Sequence, residues 1–280
     1  MHLTKRKIIT LIVIVLIAAD LYALLYPKIS EYVNSQSQSR AVVQYLDDVA
    51  AIGNEDMLLH LTAANEYNKC LPGKSDRFRM SDEEIVEYEK QLDTGRGILG
   101  TLTIDKIDVK LPIYHGTDEG VLQVGLGHLQ GSSLPVGGAG THAIITGHRG
   151  LPSSTLLTDL DKMGLGDTFS IYIMGETLVY QVDDIRTVEP DEEEALAIDP
   201  ARDYCTLVTC TPYGINTHRL LVRGLRMETA GNAGWAALFT DARLLVKTDI
   251  ILMFIAPFLL ALALYIIVKL RKIYKGGLVL

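Results

Sequence analysis

Hydrophobic and polar positions divide the chain into three regimes. Two runs near the ends are almost wholly apolar. Ile8–Tyr26 holds one charge, Asp20, and Ile250–Val268 holds none. Roughly 20 helical residues cross about 30 Å of hydrocarbon, so each run predicts a membrane span. The first is too long for a signal-peptide core, and no small-residue cleavage site follows it, which predicts that it is retained. Residues 27–39 read as a stalk centred on NSQSQS, Asn34–Ser39. Val42, Val43, Leu46, Val49 and Ala50, then Leu58, Leu59 and Leu61, recur at helical spacing over residues 40–67. Cys70–Met80 reads as a loop broken by Pro72 and Gly73. Ser81, with Glu84 three residues on, forms a capping box that opens a helix over about Asp82–Leu92.

From Gly97 the pattern changes to strands. Gly97–Ile104, Ile107–Ile113, Thr141–Thr146, Thr168–Met174, Leu178–Val188, Tyr204–Cys210 and His218–Met227 are each bounded by Gly, Pro, Asp or Asn. Short strands with Gly-rich connectors and few helices predict a mainly β fold, a closed or nearly closed barrel. The expected order is a tip (1–7), a span (8–26), the stalk (27–39), a helical region (40–96), the β-domain (97–228), a linker (229–249), a second span (250–268) and a tail (269–280).

Charge orients this layout. Lys5, Arg6 and Lys7 precede the first span, and Lys269, Arg271, Lys272 and Lys275 follow the second. The positive-inside tendency places both termini in the cytoplasm and the β-domain outside. Asp20 lies toward the outer end of its span, where a snorkelling or helix-pairing carboxylate is expected. The formal net charge is −8, from 26 basic and 34 acidic residues. Seven of the basic residues sit in the tips, so the outer region is more acidic still. That excludes a polyanion-binding surface and predicts no nucleic-acid partner.

An extracytoplasmic setting makes the cysteines informative. Three are present, Cys70, Cys205 and Cys210, and an odd number cannot all pair internally. Cys205 and Cys210 are five apart on one expected strand, so they point to opposite faces and do not bridge each other. A free thiol outside the cell needs a reason. Cys210 ends its strand, and His148 in ITGHRGLP also ends a strand before a turn. Both therefore stand where a rigid scaffold displays catalytic groups, at one rim of a barrel. A thiolate nucleophile with an imidazole base is one reading, and taken singly a core cysteine and a surface histidine are the plainer ones. An arginine could stabilise the oxyanion of a thiolate attack. Spacing leaves Arg219 and Arg223 both open, with Arg219 nearer the turn.

Two patterns carry less. GLGHLQG (Gly125–Gly131) misses the dinucleotide fingerprint by one residue. His115, His128, His142, His148 and His218 lack HExxH or paired CxxC spacing, so no metal and no cofactor are expected.

THAIITGHRGLP followed by TLVTCTPYGINTHRLLVRG resembles the sortases, specifically the class C, pilus-assembly transpeptidases of Gram-positive bacteria. LPIYHGT, GLGHLQGSSLPVGG and GDTFSIY fit the same pattern, and the similarity covers about residues 40–228. The resemblance implies an eight-stranded β-barrel. It implies Cys210 as nucleophile, His148 as acid/base and Arg219, rather than Arg223, as the oxyanion or carbonyl stabiliser. It further implies cleavage of an LPXTG-like sorting signal between Thr and Gly, a thioacyl-enzyme, and transfer to a lysine amine of a pilin subunit. Class C members also carry an Asp-Pro-aromatic lid. Here residues 74–80 hold Asp76 and Phe78 in the matching places, with Arg77 where the family has Pro. Loss of Pro predicts a looser or displaced lid. Two other readings stand beside this one: attachment of surface proteins to peptidoglycan by the same chemistry, and a non-enzymatic membrane-tethered scaffold in which Cys210 is core.

Overall fold

The structure, a computed structural model, describes residues 5–74 and 76–227. The expected linker, second span and tail lie outside these residues. The chain begins with α1 (Lys5–Ala51), then α2 (Asn54–Lys69) and α3 (Asp82–Glu89). The barrel strands follow: β1 (Ile98–Ile104), β2 (Val109–His115), β3 (Leu126–His128), β4 (Thr141–Thr146), β5 (Thr168–Ile173), β6 (Glu176–Val188), β7 (Asp203–Thr211) and β8 (His218–Arg226). A short helix, α4 (Glu119–Val124), links β2 to β3. The barrel closes in the order β1-β2-β3-β4-β7-β8-β6-β5. β2/β3 and β4/β7 pair in parallel, and the other neighbours are antiparallel.

The expected stalk is not a break. α1 runs without interruption through Pro27 and NSQSQS. Asn and Ser are poor helix formers on their own. Here tertiary contacts offset that: Asn34 donates to the Ser153 carbonyl at 2.8 Å, and Gln38 donates to Ser154 Oγ at 3.0 Å. The polar residues that suggested a linker are the ones that grip the barrel. Farther along, Tyr45 is fully buried. Its hydroxyl donates to the Leu99 carbonyl at 2.8 Å and accepts from the Met174 amide at 3.1 Å. The N-terminal part of α1 is long and apolar enough to cross a membrane, with a mean hydropathy of 2.0.

The Ser81–Glu84 capping box forms in both directions. The helix it opens stops at Glu89, short of Leu92, which turns to φ +57° and buries its side chain in the core. β3 and α4 are absent from the sequence-based layout because each is short and Gly125 and Gly127 weaken strand periodicity. Gly127 is required in place: a methyl group there would lie 2.3 Å from the Gly116 carbonyl oxygen. The dinucleotide-like GLG is thus a barrel strand under close backbone approach.

Alternation separates two apolar clusters across β4, β7 and β8. Ala143, Ile145, Cys205, Leu207, Leu220 and Val222 join the large core inside the barrel. Ile144, Val208 and Leu221 point the other way and, with Val188, form a second cluster covered by Leu129, Ala195 and Leu196.

Three of the histidines that might have suggested zinc have structural duties. His128 Nε2 lies 2.8 Å from the Ser133 carbonyl, so it carries the proton there. Its Nδ1, 2.9 Å away, then accepts from the Tyr88 hydroxyl. His142 donates from Nδ1 to the Ala197 carbonyl and accepts from Thr206 Oγ1 at Nε2. His115 contacts the Gln91 and Gly97 carbonyls. Burial pushes His128 and His142 down to about 4. The unfolded chain protonates these rings near their ordinary 6.5, while the folded protein resists until about 4. Stability is therefore full above the higher value and falls as pH drops between the two. The expected loss by pH 5 is about 2 kcal/mol per histidine. Urea titrations at pH 7 and pH 5 check this, and equal midpoints would refute it.

Candidate active site

The direction of each strand brings the sequence-selected residues together. Cys205, Leu207 and Thr209 face the barrel interior, so Cys210, near the end of β7, faces out. On β8, Leu220 and Val222 face in, so Arg219 faces out, and the register places it directly opposite Cys210. β4 runs parallel to β7 with Thr146 opposite Val208, and its outward phase carries through to His148. All three side chains share one groove on the outer face, a cavity of about 310 Å³ floored by Ile144, Val208 and Leu221. The expected barrel-rim site is thus a groove running down the outer wall from the strand ends.

The His148 turn is held from below. The Gly147 amide donates to the Val208 carbonyl at 3.0 Å, and Thr209 Oγ1 donates to the Gly147 carbonyl at 2.8 Å. A methyl group on Gly147 would meet the Leu126 side chain at 2.6 Å, so a larger residue there would have to displace that leucine. The Leu157 amide donates to the His148 carbonyl at 3.2 Å. His148 Nε2 is enclosed, and Glu119 Oε2 of α4 lies 3.6 Å away, beyond hydrogen-bond length. Among the described residues this nitrogen has no hydrogen-bond partner.

The two arginines left open by spacing differ sharply. Arg223 pairs with both carboxylate oxygens of Asp183, at 3.1 and 2.8 Å, and stacks over Tyr204 at 4.2 Å. The Asp183 hydrogen bonds raise its pKa. Arg219 makes only long contacts with the carbonyls of Asn216 and His218, at 3.5 and 3.2 Å. Among the described residues it pairs with no carboxylate. One guanidinium is already committed to a carboxylate and the other stands beside the thiol with its charge available. A thiol, an imidazole and an uncommitted cation in one groove are the groups that acyl transfer through a thioester requires.

The matches with known proteins concern this same region. The sortase-domain family model matches residues 102–227. Sortase C1 from Streptococcus agalactiae superposes with a TM-score of 0.66 at 50% identity, covering 68% of this chain and 100% of that one. The chain belongs to the sortase family. Sortase C from Streptococcus pneumoniae matches at 40% identity and a TM-score of 0.63, over 69% of this chain and 98% of that one. These neighbours place this sortase in class C. Sortase D of Bacillus subtilis (strain 168) is 26% identical over 131 residues, which is 46% of this chain and 63% of that protein.

Asp76 and Phe78 are placed differently from the three groove residues. Among the described residues that line the groove, neither is present, and Asp76 is exposed. Arg77, in the position where the family has Pro, anchors the segment. Its guanidinium donates to the Leu196 carbonyl at 2.6 Å and to the Gly131 carbonyl at 3.4 Å, and it lies 4.4 Å above the Phe78 ring. Gly131 accepts the loop backbone so closely that a methyl group would sit 1.9 Å from the Arg77 carbonyl oxygen. Arginine thus makes side-chain hydrogen bonds here that proline could not.

Sequence reading missed several groove residues. Thr117, Leu122, Glu189 and Leu196 line it, and Arg149 follows His148 in the same turn. Arg149 is nearly buried, donates to Thr211 Oγ1 at 3.3 Å and pairs with Asp161. Its adjacency to His148 was the available signal. The wall at Glu189–Leu196 gave none, because an acidic loop reads as solvated surface.

Proposed function

We propose that this sortase joins pilin subunits by transpeptidation. Cys210 attacks the Thr carbonyl of an LPXTG-like sorting signal as its thiol proton passes to His148. Arg219 stabilises the charge that develops on the carbonyl oxygen. Collapse breaks the Thr–Gly bond, the His148 imidazolium gives its proton to the departing glycine amine, and a thioester to Cys210 remains. A neutral pilin lysine amine then attacks the thioester, its proton passes to His148, and His148 returns it to the departing Cys210 sulfur. An isopeptide bond has formed and the enzyme is restored. What carries the reading is the direct opposition of Cys210 and Arg219 in a groove that His148 also lines. The pilin acceptor draws support from the class C neighbours, of which the Streptococcus pneumoniae enzyme is described with pilin substrate specificity.

The setting proposed is the outer face of the cell membrane, with residues 8–26 and 250–268 as spans and both termini in the cytoplasm. Tethering in the same membrane as anchored substrates raises their effective concentration at the groove. Asp76 and Phe78 are proposed to belong to a lid, held by Arg77 against the groove wall at Leu196. Mass spectrometry of products formed by the full chain in membranes tests the function. The expected product links the Thr carboxyl to a lysine of a second pilin. Linkage to a cell-wall amine would assign the enzyme to surface-protein anchoring instead, and release of free acid alone would overturn the transpeptidase reading.

A further inference from the structure

The grip of α1 on the barrel fixes where the groove stands relative to a bilayer. The apolar stretch of α1 closes on Tyr22 and Tyr26, whose rings lie 6.1 Å apart, the kind of aromatic pair that sits at a membrane–water boundary. Only five residues later the barrel is attached. Thr155 Oγ1 donates to Glu31 at 2.8 Å, Asn34 holds the Ser153 carbonyl, and Gln38, 7% exposed, holds Ser154. At 1.5 Å per helical residue, the first two of these contacts lie about 8 to 12 Å beyond Tyr26. The loop they hold follows His148 directly.

Against that loop packs the turn between β7 and β8, Pro212–Thr217, which separates Cys210 from Arg219. A methyl group on Gly150 would touch the Tyr213 ring at 3.0 Å, so the two turns share one level. The β7–β8 turn carries no charged residue, and it exposes Tyr213 at 61% and Ile215 at 68%. The headgroup layer adds about 5 to 8 Å on each side of the hydrocarbon. The turn therefore stands within a side chain's reach of that layer, on a helix too firmly attached to swing away.

We propose that Tyr213 and Ile215 dock on the phospholipid surface beside α1, so that the mouth of the groove opens at the bilayer. The partner is lipid: an aromatic with a polar tip and an aliphatic neighbour on an uncharged turn suit the interfacial layer. Docking gives the enzyme a second contact with the membrane and sets the Cys210–Arg219 edge at the height of chains emerging from it.

The test uses the full chain in phosphatidylcholine–phosphatidylglycerol vesicles, with Trp235, the one tryptophan in the sequence, replaced by Phe. Tryptophan is then introduced singly as Tyr213→Trp, Ile215→Trp, Tyr26→Trp or Leu59→Trp, and quenching by a shallow spin-labelled lipid is measured. Leu59 is 66% exposed on α2, two residues from Met57, which lies against Gly175 in the β5–β6 turn at the other end of the barrel. Docking predicts quenching of the two turn reporters at least about threefold above Leu59→Trp and close to that of Tyr26→Trp. Quenching at Tyr26→Trp with the turn reporters at the Leu59→Trp level would overturn docking while leaving the anchor intact. Loss of quenching at Tyr26→Trp as well would remove the anchor on which the proposal rests. Neither outcome bears on the sortase chemistry.

Discussion

Replacing Cys210 with alanine is expected to reduce transpeptidation by at least about a thousandfold, because no thioester can form without the sulfur. The fold should persist. Cys210 faces the groove and is half-buried, so alanine leaves no large cavity in the barrel interior. The other cysteines make the experiment discriminating. Cys205 is fully buried, and burial raises its thiol pKa well above the ordinary value, so it should resist alkylation in the native state. Cys70 is exposed and should react whatever its role. In a Cys70→Ser background, one equivalent of a small thiol reagent should therefore be taken up, at Cys210, with loss of activity in parallel. Alkylation that leaves activity intact, or an active Cys210→Ala enzyme, would return Cys210 to a structural role.

What the sequence made legible divides along physical lines. Strands of six or more residues bounded by breakers were readable because alternation over that length is a strong local signal; β4 coincides with its expected range at Thr141–Thr146. β3, with three residues and two neighbouring glycines, has too few positions to show a period. The NSQSQS segment misled because propensity is local, whereas the helix there is held by Asn34 and Gln38 reaching residues more than a hundred positions away. The thiol and imidazole stood out by their places at strand ends. Their shared outward phase, and the apolar floor of Ile144, Val208 and Leu221, depended on the parallel β4/β7 pairing, which no local pattern encodes. The Arg77 substitution was legible as a departure from the family, but its consequence was not. Arginine's reach to the Leu196 and Gly131 carbonyls ties the segment to two neighbouring loops, a long-range contact that no local pattern encodes.

The choice between Arg219 and Arg223 provides the second large effect. Arg219→Ala is expected to lower kcat by about 10²- to 10³-fold with a smaller change in KM, the signature of a donor that acts as charge develops on the carbonyl oxygen. Arg219→Lys should recover only part of this loss. A lysine keeps the charge but not the planar fork, and its ammonium is more strongly hydrated in an open groove. Arg223→Ala should behave differently. It removes the partner of Asp183 and the cation over Tyr204, an arrangement about a quarter exposed and four residues down the strand. Its cost should therefore fall on stability, about 1 kcal/mol, with kcat changed by no more than a few-fold. Steady-state kinetics with a sorting-signal peptide, alongside urea midpoints for each variant, separate the two. If Arg223→Ala lost kcat and Arg219→Ala lost only stability, the assignment would be reversed. The Cys210–Arg219 opposition would then be a feature of strand register without a part in the chemistry. The two arginines share a strand, a face and a charge. They differ in two respects that bear on catalysis: Arg219 stands opposite Cys210 in the groove whereas Arg223 stands opposite Thr206, and Asp183 already holds Arg223 while, among the described residues, no carboxylate holds Arg219.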